Sequence, residues 1–181
     1  RLANLIPDLA TVTAPALVQR TAASADADRL SLLRDLLRPE RLSIIADVGA
    51  SPIERPPYAF LLSQGACEVW GFEPQPNEFD RLAAQAGANE HYLPLAIGDG
   101  SVRQLNVTQH PGFTSVLTPN RATSRAMNRW RKDTRIVSVA EVQTARLDDV
   151  PELPDFDLLK IDIQGGELDV FRNATQRLGH A

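Results

Sequence analysis

Short apolar runs that alternate with helical patterns constrain the fold of this chain more than any other feature. The runs at residues 44–48, 67–72 and 91–97 have the length and composition of buried parallel strands. The segments 56–65 and 79–86 between them have helical features, with prolines in the first turn of one and a glycine after the other. This β-α-β-α-β order predicts a parallel sheet with right-handed crossovers.

The pattern changes in the second half of the chain. Residues 102–107 and 135–142 predict shorter accessory strands, and the segment 118–130 between them predicts a helix with Thr118 as its N-cap. Residues 156–163 predict a further strand, which one more helix follows.

Before the first strand, helical spacing runs from residue 25 to residue 37 and ends at Pro39. We therefore divide the chain into a lead-in with a helix, residues 1–40, and an α/β domain, residues 41–181.

Composition excludes several classes of protein. The chain has 181 residues, enough for one ordinary domain, and its formal net charge of -4 gives no general attraction to nucleic acid or membranes. No apolar run approaches the roughly 18 residues of a membrane span. The single cysteine, Cys67, forms no internal disulfide and fits the reducing cytoplasm. The sequence predicts a cytoplasmic protein and leaves its oligomeric state open.

The candidate ligand-binding residues stand at strand ends, where doubly wound sheets bind ligands. Asp47 and Gly49 close the first strand, and Glu73 follows the second. An acidic residue in the position of Glu73 can accept hydrogen bonds from both hydroxyls of a ribose. Taken singly, Asp47 could be a turn residue and Glu73 a solvated carboxylate. Taken together, they favour a ligand that contains a nucleoside.

The turn after the first strand argues against a dinucleotide. A dinucleotide site has the pattern G-x-G-x-x-G, whereas residues 49–54 contain Gly49 as their only glycine. The chain has no P-loop either. A pyrophosphate cradle is therefore poorly supported, and a nucleoside ligand without phosphate, such as S-adenosylmethionine, fits better.

Six segments, in order and spacing, resemble the signature segments of the FkbM family of S-adenosylmethionine-dependent methyltransferases. They are DVGAS (47–51), GFEPQP (71–76), LAIGDG (95–100), GFTSVL (112–117), RLDD (146–149) and KIDIQGGEL (160–168). The resemblance covers about residues 44–178. It implies a Rossmann-like class I methyltransferase sheet with helices on both faces, and methyl transfer from S-adenosylmethionine, usually to a hydroxyl oxygen. Such sheets continue with three further strands after the helix that follows strand four, so we expect that the C-terminal strands are lacking here.

By position, the resemblance also implies a cofactor site. It places Asp47 and Gly49 at the amino acid moiety, Glu73 at the ribose, and Ile97 and Asp99 at the adenine, and it adds Ala50 to the cofactor-binding residues. The sequence departs from the family pattern at residues 52–53, where members often have a second glycine, and at Gln164, where members often have an acid.

The strand at residues 156–163 carries the candidate catalytic residues. Lys160, Asp162 and Gln164 alternate with apolar residues and so share one face. Asp162 is near the ligand-facing end and could orient either substrate, and Gln164 is assigned with it. Lys160 lies deeper and favours a structural ion pair with an acid such as Asp47. No cluster has metal-ligand spacing, so we predict no catalytic metal.

Two further features allow two interpretations each. His110 lies in a turn-rich segment near Ser115, where it is either a solvated loop residue or a group at the methyl acceptor. Arg121, Arg125 and Arg129 form one stripe on the predicted helix. The stripe is either a solvated helix face or a site for an anionic acceptor.

The predicted function is therefore O-methylation of a hydroxyl group on a small molecule or sugar, with S-adenosylmethionine as the methyl donor. One alternative is a catalytically inactive cofactor-binding module of a larger biosynthetic protein. Another is a nucleotide-binding oxidoreductase domain, which the missing glycines disfavour.

Overall fold

The computed structural model describes residues 27–36, 39–51, 53, 55–127 and 131–179, and the chain divides into two compact units, Arg1–Arg41 and Leu42–Ala181. In the first unit, residues 27–36 form helix α1, which agrees with the helix predicted there. Three of its leucines are more than half exposed: Leu32, Leu33 and Leu36. The lead-in before residue 27 lies outside the described residues.

The second unit is a mixed α/β structure. Its described elements are β1 (Ser43–Val48), α2 (Ala59–Ser63), β2 (Cys67–Phe72), α3 (Pro76–Gln85), β3 (Glu90–Leu93), β4 (Ala96–Ile97), β5 (Val102–Thr108), α4 (Arg121–Ala126), β6 (Ile136–Ala145), β7 (Leu158–Ile161), α5 (Glu167–Arg172) and α6 (Thr175–Leu178). Short 3-10 turns lie at Pro111–Phe113 and Leu147–Asp149. None of the helices in the described part of the chain is long and apolar enough to cross a membrane.

The strands form two sheets. The first has the order β3-β2-β1-β7, and all of its strands are parallel, which confirms the predicted parallel sheet. The second has the order β4-β6-β5, with β5 antiparallel to β6. The chain runs outward from β1 to β3, builds the second sheet, and returns to β7 beside β1. The strand order therefore switches between β1 and β7, which is where open α/β sheets bind ligands.

The predicted strand at residues 91–97 is two strands that belong to different sheets. Pro94 separates β3 from β4, and it has no backbone N–H to donate to a neighbouring strand. The backbone N–H of Leu95 instead donates to the carbonyl oxygen of Leu93 at 2.9 Å, which turns the chain. As a result, Ile97 pairs with Ala145 in the second sheet.

Three predicted helix boundaries were wrong. Helix α4 begins at Arg121 with Asn120 as its N-cap, since the Asn120 side chain accepts hydrogen bonds from two backbone N–H groups at 3.0 and 3.1 Å. Helix α3 ends at Gln85 with an extended backbone at Ala86, before the glycine predicted to cap it. The last predicted helix is divided into α5 and α6 by residues 173–174, where Ala174 is fully buried in the core.

The core lies between the strands and the elements that follow them. Its main cluster combines buried residues of β1, β2 and β4 with residues of the 147–156 segment and of α5. A smaller cluster joins Ile45, Cys67 and Val69 to Tyr58. Both clusters lie below the carboxyl ends of the parallel strands, so those ends are held by packed side chains.

Candidate functional site

A cavity of about 340 Å³ opens at the carboxyl ends of the parallel strands. Its wall includes most of the residues predicted to bind cofactor or act in catalysis: Asp47, Gly49, Glu73, Ile97, Asp99, Asp162 and Gln164. Ala50 is not among the described residues that line it. Ala50 is 1% exposed, and its methyl group packs against the backbone of Gly71. The sheet therefore gathers residues that are far apart in the sequence around one cavity.

Asp47 is the centre of a closed polar network at the end of β1. Its carboxylate is 2% exposed, and its Oδ1 lies 2.8 Å from Nζ of Lys160. Its Oδ2 accepts a hydrogen bond from the hydroxyl of Tyr58 at 2.5 Å. The ion pair with Lys160 confirms the predicted partnership. Because Asp47 is almost fully buried, with an ion pair at one carboxylate oxygen and a hydroxyl at the other, it shapes the cavity floor and is poorly accessible to a ligand.

Gly49 is required by a contact within the protein. Its φ is +82°, and a Cβ at this position would lie 2.2 Å from the carbonyl oxygen of Asp162. Lys160 Nζ donates to the Gly49 carbonyl oxygen at 3.0 Å and holds the turn. The sequence suggested that this glycine lets a ligand approach the backbone. The structure gives a different reason, since the glycine lets the segment after β7 approach β1.

Glu73 at the end of β2 is buried and makes no ion pair with any residue that the structure describes. Its side chain is 6% exposed, and Oε1 accepts a hydrogen bond from the backbone N–H of Gln75 at 2.7 Å. Burial raises the pKa of Glu73 to about 7, because the hydrogen bonds from Gln75 offset only part of the desolvation. Glu73 is therefore a desolvated carboxylate in the cavity wall, which excludes its interpretation as a solvated surface acid.

Asp99 forms a charged cluster on the side of the cavity nearest the second sheet. It accepts hydrogen bonds from the hydroxyl and backbone N–H of Ser101 at 2.6 and 3.0 Å, and it pairs with Arg103 at 2.5 Å. These contacts, first those of Ser101 and then those of Arg103, lower the pKa of Asp99. Arg103 also reaches Asp169 on α5 at 3.4 Å. Asp99 thus lines the cavity with its carboxylate largely occupied by protein groups.

The turn after β7 is strained and borders the same cavity. Gln164 has a φ of 61°, a left-handed conformation that costs a non-glycine residue roughly 1–2 kcal/mol. Its side-chain amide donates to Oδ1 of Asp162 at 2.8 Å. Its backbone carbonyl oxygen accepts a hydrogen bond from the hydroxyl of Ser115 at 3.0 Å. Glu167 Oε1 accepts from the backbone N–H of Gly165 at 2.9 Å. The strained turn therefore directs the Gln164 amide at the Asp162 carboxylate.

His110 lies in the cavity wall. This position argues against its interpretation as a purely solvated loop residue. Its Nδ1 accepts a hydrogen bond from the backbone N–H of Gly112 at 3.2 Å, and its ring packs edge-on against Phe113. In its neutral form, the imidazole therefore carries its proton on Nε2. The segment is tied to β5 because the backbones of Asn106 and Ser115 exchange hydrogen bonds at 2.8 and 3.3 Å.

The charge of the cavity wall is acidic overall. Among the described residues that line it, six are acidic: Asp47, Glu73, Glu78, Asp99, Asp162 and Asp169. The three with permanent positive charge are Arg55, Arg103 and Lys160. This excess of acids favours a cationic ligand over an anionic one.

Sequence reasoning missed Tyr58, Arg55 and Arg103. None of them belongs to a recognised motif, so the place of Arg55 and Arg103 in the wall and the hydrogen bond of Tyr58 to Asp47 follow only from the three-dimensional arrangement. The arginine stripe, in contrast, was considered in the sequence as a site for an anionic acceptor, but its described members lie outside the cavity wall. Arg121 and Arg125 are exposed and are not among the residues that line the cavity, and Arg129 lies outside the described residues.

Comparison with protein families gives one match that spans most of the chain. The model described as "Methyltransferase FkbM domain" matches residues 47–180, a range that begins at the strand-end acid of β1 and includes β7 and both helices after it. Comparisons with curated proteins and with solved structures gave no match.

Proposed function

We propose that the chain, which belongs to the FkbM methyltransferase family, transfers a methyl group from S-adenosylmethionine to a hydroxyl oxygen of a small molecule or sugar. The observation that carries the proposal is the desolvated carboxylate of Glu73 at the end of β2, in the wall of an acidic cavity at the switch in strand order. We take the sheet to be the Rossmann-like sheet of class I methyltransferases. The strand order and the parallel pairing are compatible with that fold.

The residues in the cavity fit the parts of S-adenosylmethionine in a definite order. Glu73 has the acceptor capacity to hold the ribose hydroxyls, since Gln75 uses only part of the acceptor positions of its carboxylate. Ile97, which is 6% exposed, offers an apolar surface to the adenine beyond β2. The amino acid moiety would then lie over the end of β1, above Gly49. Asp47 contributes by fixing that end of the strand.

The charge of the wall distinguishes S-adenosylmethionine from a dinucleotide. S-adenosylmethionine carries a sulfonium cation and no phosphate, whereas NAD carries a negatively charged diphosphate. A wall with six acidic and three basic residues attracts the first ligand and repels the second. The single glycine of the turn at Gly49, held against Asp162, also leaves no glycine-rich cradle for a diphosphate.

Asp162 and Gln164 are the proposed catalytic pair. When it is bound, S-adenosylmethionine supplies an electrophilic methyl group. Asp162 is exposed in the cavity wall, so its carboxylate can accept a hydrogen bond from the acceptor's hydroxyl and take the proton that the hydroxyl loses. Gln164 is a positioning residue, because its amide fixes one oxygen of that carboxylate at 2.8 Å. The cavity itself holds the two substrates together.

Transfer of a radiolabelled methyl group to a panel of hydroxylated acceptors tests this function. We expect a labelled product with the unmodified chain and a kcat reduced by roughly 10²–10⁴-fold in Asp162→Asn. Asp80→Asn is the matched control, since Asp80 is an exposed acid on α3 outside the cavity. Binding of the methyl donor without any turnover would favour the cofactor-binding module. Binding of NAD in its place would favour the oxidoreductase.

A further inference from the structure

One cation of the cavity wall has no ion-pair partner among the residues that the structure describes. Lys160 lies 2.8 Å from Asp47, and Arg103 pairs with Asp99 and Asp169. Arg55 lines the same cavity but makes no ion pair with any residue that the structure describes. In a wall whose described acids outnumber its described bases, the guanidinium of Arg55 has hydrogen-bond donors for an anionic group.

The position of Arg55 along the cavity indicates which group that is. The sheet order puts the end of β1 between Glu73 on β2 and the segment after β7 that carries Asp162. A ligand whose ribose is held at Glu73 and whose methyl group faces Asp162 must cross the end of β1. Arg55 belongs to the loop that leaves this end, between Gly49 and α2.

That loop is anchored close to Arg55. The Tyr58 hydroxyl is bonded to Asp47 at 2.5 Å, and the backbone N–H of Ala59 donates to the carbonyl oxygen of Pro56 at 3.0 Å. On the other side of the loop, the Ile53 N–H donates to the hydroxyl of Ser51 at 3.3 Å. Arg55 is therefore held near the strand end, and Asp47, with both oxygens engaged, leaves the charged tail of a ligand to other groups.

We propose that Arg55 binds the carboxylate of the methionine moiety of S-adenosylmethionine. The assignment rests on the proposed function. A guanidinium matches a carboxylate with two parallel hydrogen bonds, which gives both charge and orientation. Because this carboxylate is the only anionic group of the ligand, Arg55 would set its direction along the cavity, with the sulfonium toward Asp162 and the ribose toward Glu73.

Calorimetric binding of two ligands tests the proposal without any need for turnover. One is S-adenosylmethionine and the other is its decarboxylated analogue, which lacks only the carboxylate. We expect the unmodified chain to prefer S-adenosylmethionine by about tenfold or more, as for a charge-assisted pair. In Arg55→Gln this preference should disappear or reverse, because the acidic wall then favours the more cationic analogue. Arg55→Lys should keep part of the preference.

Arg172→Gln is the matched control, because Arg172 is an exposed arginine on α5 that does not line the cavity. Thermal unfolding of each variant confirms that Arg55→Gln still folds. An unchanged preference in Arg55→Gln, with S-adenosylmethionine still bound, would overturn the role of Arg55 and leave the proposed function standing. A change in the acceptor's KM alone would do the same. If the unmodified chain bound neither ligand, the role of Arg55 and the proposed function would both be wrong.

Discussion

Asp47 and Glu73 stand at the ends of neighbouring strands, and the two carboxylates are 2% and 6% exposed. Asp47 has a cation on one oxygen and a hydroxyl on the other. Glu73 accepts hydrogen bonds from Gln75 but makes no ion pair with any residue that the structure describes, and its pKa is raised to about 7 by burial. Burial of a carboxylate costs free energy unless the carboxylate is paired with a cation or hydrogen-bond donors. Asp47 therefore has a completed network, and Glu73 has an incomplete one. The incomplete one retains the capacity to bind a ligand.

The comparison assigns different roles to two acids that look alike in the sequence. Asp47 stabilises the strand ends, because its partners come from β7 and from the start of α2. Glu73 lowers the stability of the chain without ligand, since desolvation of its charge is only partly offset within the protein. A ligand that donates hydrogen bonds to Glu73 would offset this desolvation free energy. Variants of the two networks should therefore change stability in opposite directions.

The largest expected effect is that of Lys160→Met. This change leaves the buried Asp47 without its cation, and breaking a buried pair from one side costs about 3–5 kcal/mol. Urea unfolding should show a free energy of unfolding lower by that amount. The double variant Asp47→Asn with Lys160→Met should lose less than the sum of the single variants, because it leaves no unpaired charge. Strict additivity would mean that the pair is not coupled.

Tyr58→Phe should have the next largest effect. The change removes the hydroxyl that donates to Asp47 and leaves a buried carboxylate oxygen without that partner, at a cost of about 2 kcal/mol. Tyr92→Phe serves as the comparison, because its hydroxyl donates to the partly buried Glu90 at 2.8 Å. Thermal unfolding of the two variants measures the difference. An equal loss at both positions would argue against a special role of the Asp47 network.

Glu73→Gln should stabilise the chain without ligand. The folded pKa of about 7 is above the ordinary value of 4.5, so the folded state binds more protons than the unfolded state between these pH values. The contribution of Glu73 to the free energy of unfolding therefore falls as the pH rises through this interval and stays low above it. At about pH 8, the neutral amide should raise the free energy of unfolding by on the order of 1 kcal/mol. A lower melting temperature for Glu73→Gln would contradict the account.

The sequence predicted the parallel sheet well, because the strands are short apolar runs between clear breaks. The predicted bounds of β2 are those of the structure, and those of β1 differ by one residue. It failed where a local signal was ambiguous. Pro94 was included in one strand, although the loss of its N–H sends Ile97 to another sheet. Likewise, Thr118 was predicted as the N-cap of a helix that Asn120 caps instead, through its side chain.

The sequence predicted the strand-end residues of the candidate site. It did not predict the residues from other segments that surround them or bond to them. Asp47, Glu73 and Asp162 follow from the general position of ligands in such sheets. Tyr58 and Arg55 could not be found, because a hydrogen bond or a place in a wall depends on how a loop folds back. The sequence also could not show why residue 49 must be glycine, because the close contact of Gly49 is with Asp162, which is far along the chain.

The most direct measurement of the central claim is the affinity for S-adenosylmethionine as a function of pH, in the unmodified chain and in Glu73→Gln. The ribose hydroxyls donate more strongly to Glu73 while it is a carboxylate than when it is protonated. Calorimetry from about pH 5 to about pH 9 should therefore show an affinity that is constant above about pH 7 and falls by up to about tenfold per pH unit below it. In Glu73→Gln the affinity should be weaker at neutral pH and lack this dependence. The same pH profile in both proteins, or an affinity unaffected by the substitution, would contradict the assignment of Glu73 to the ribose.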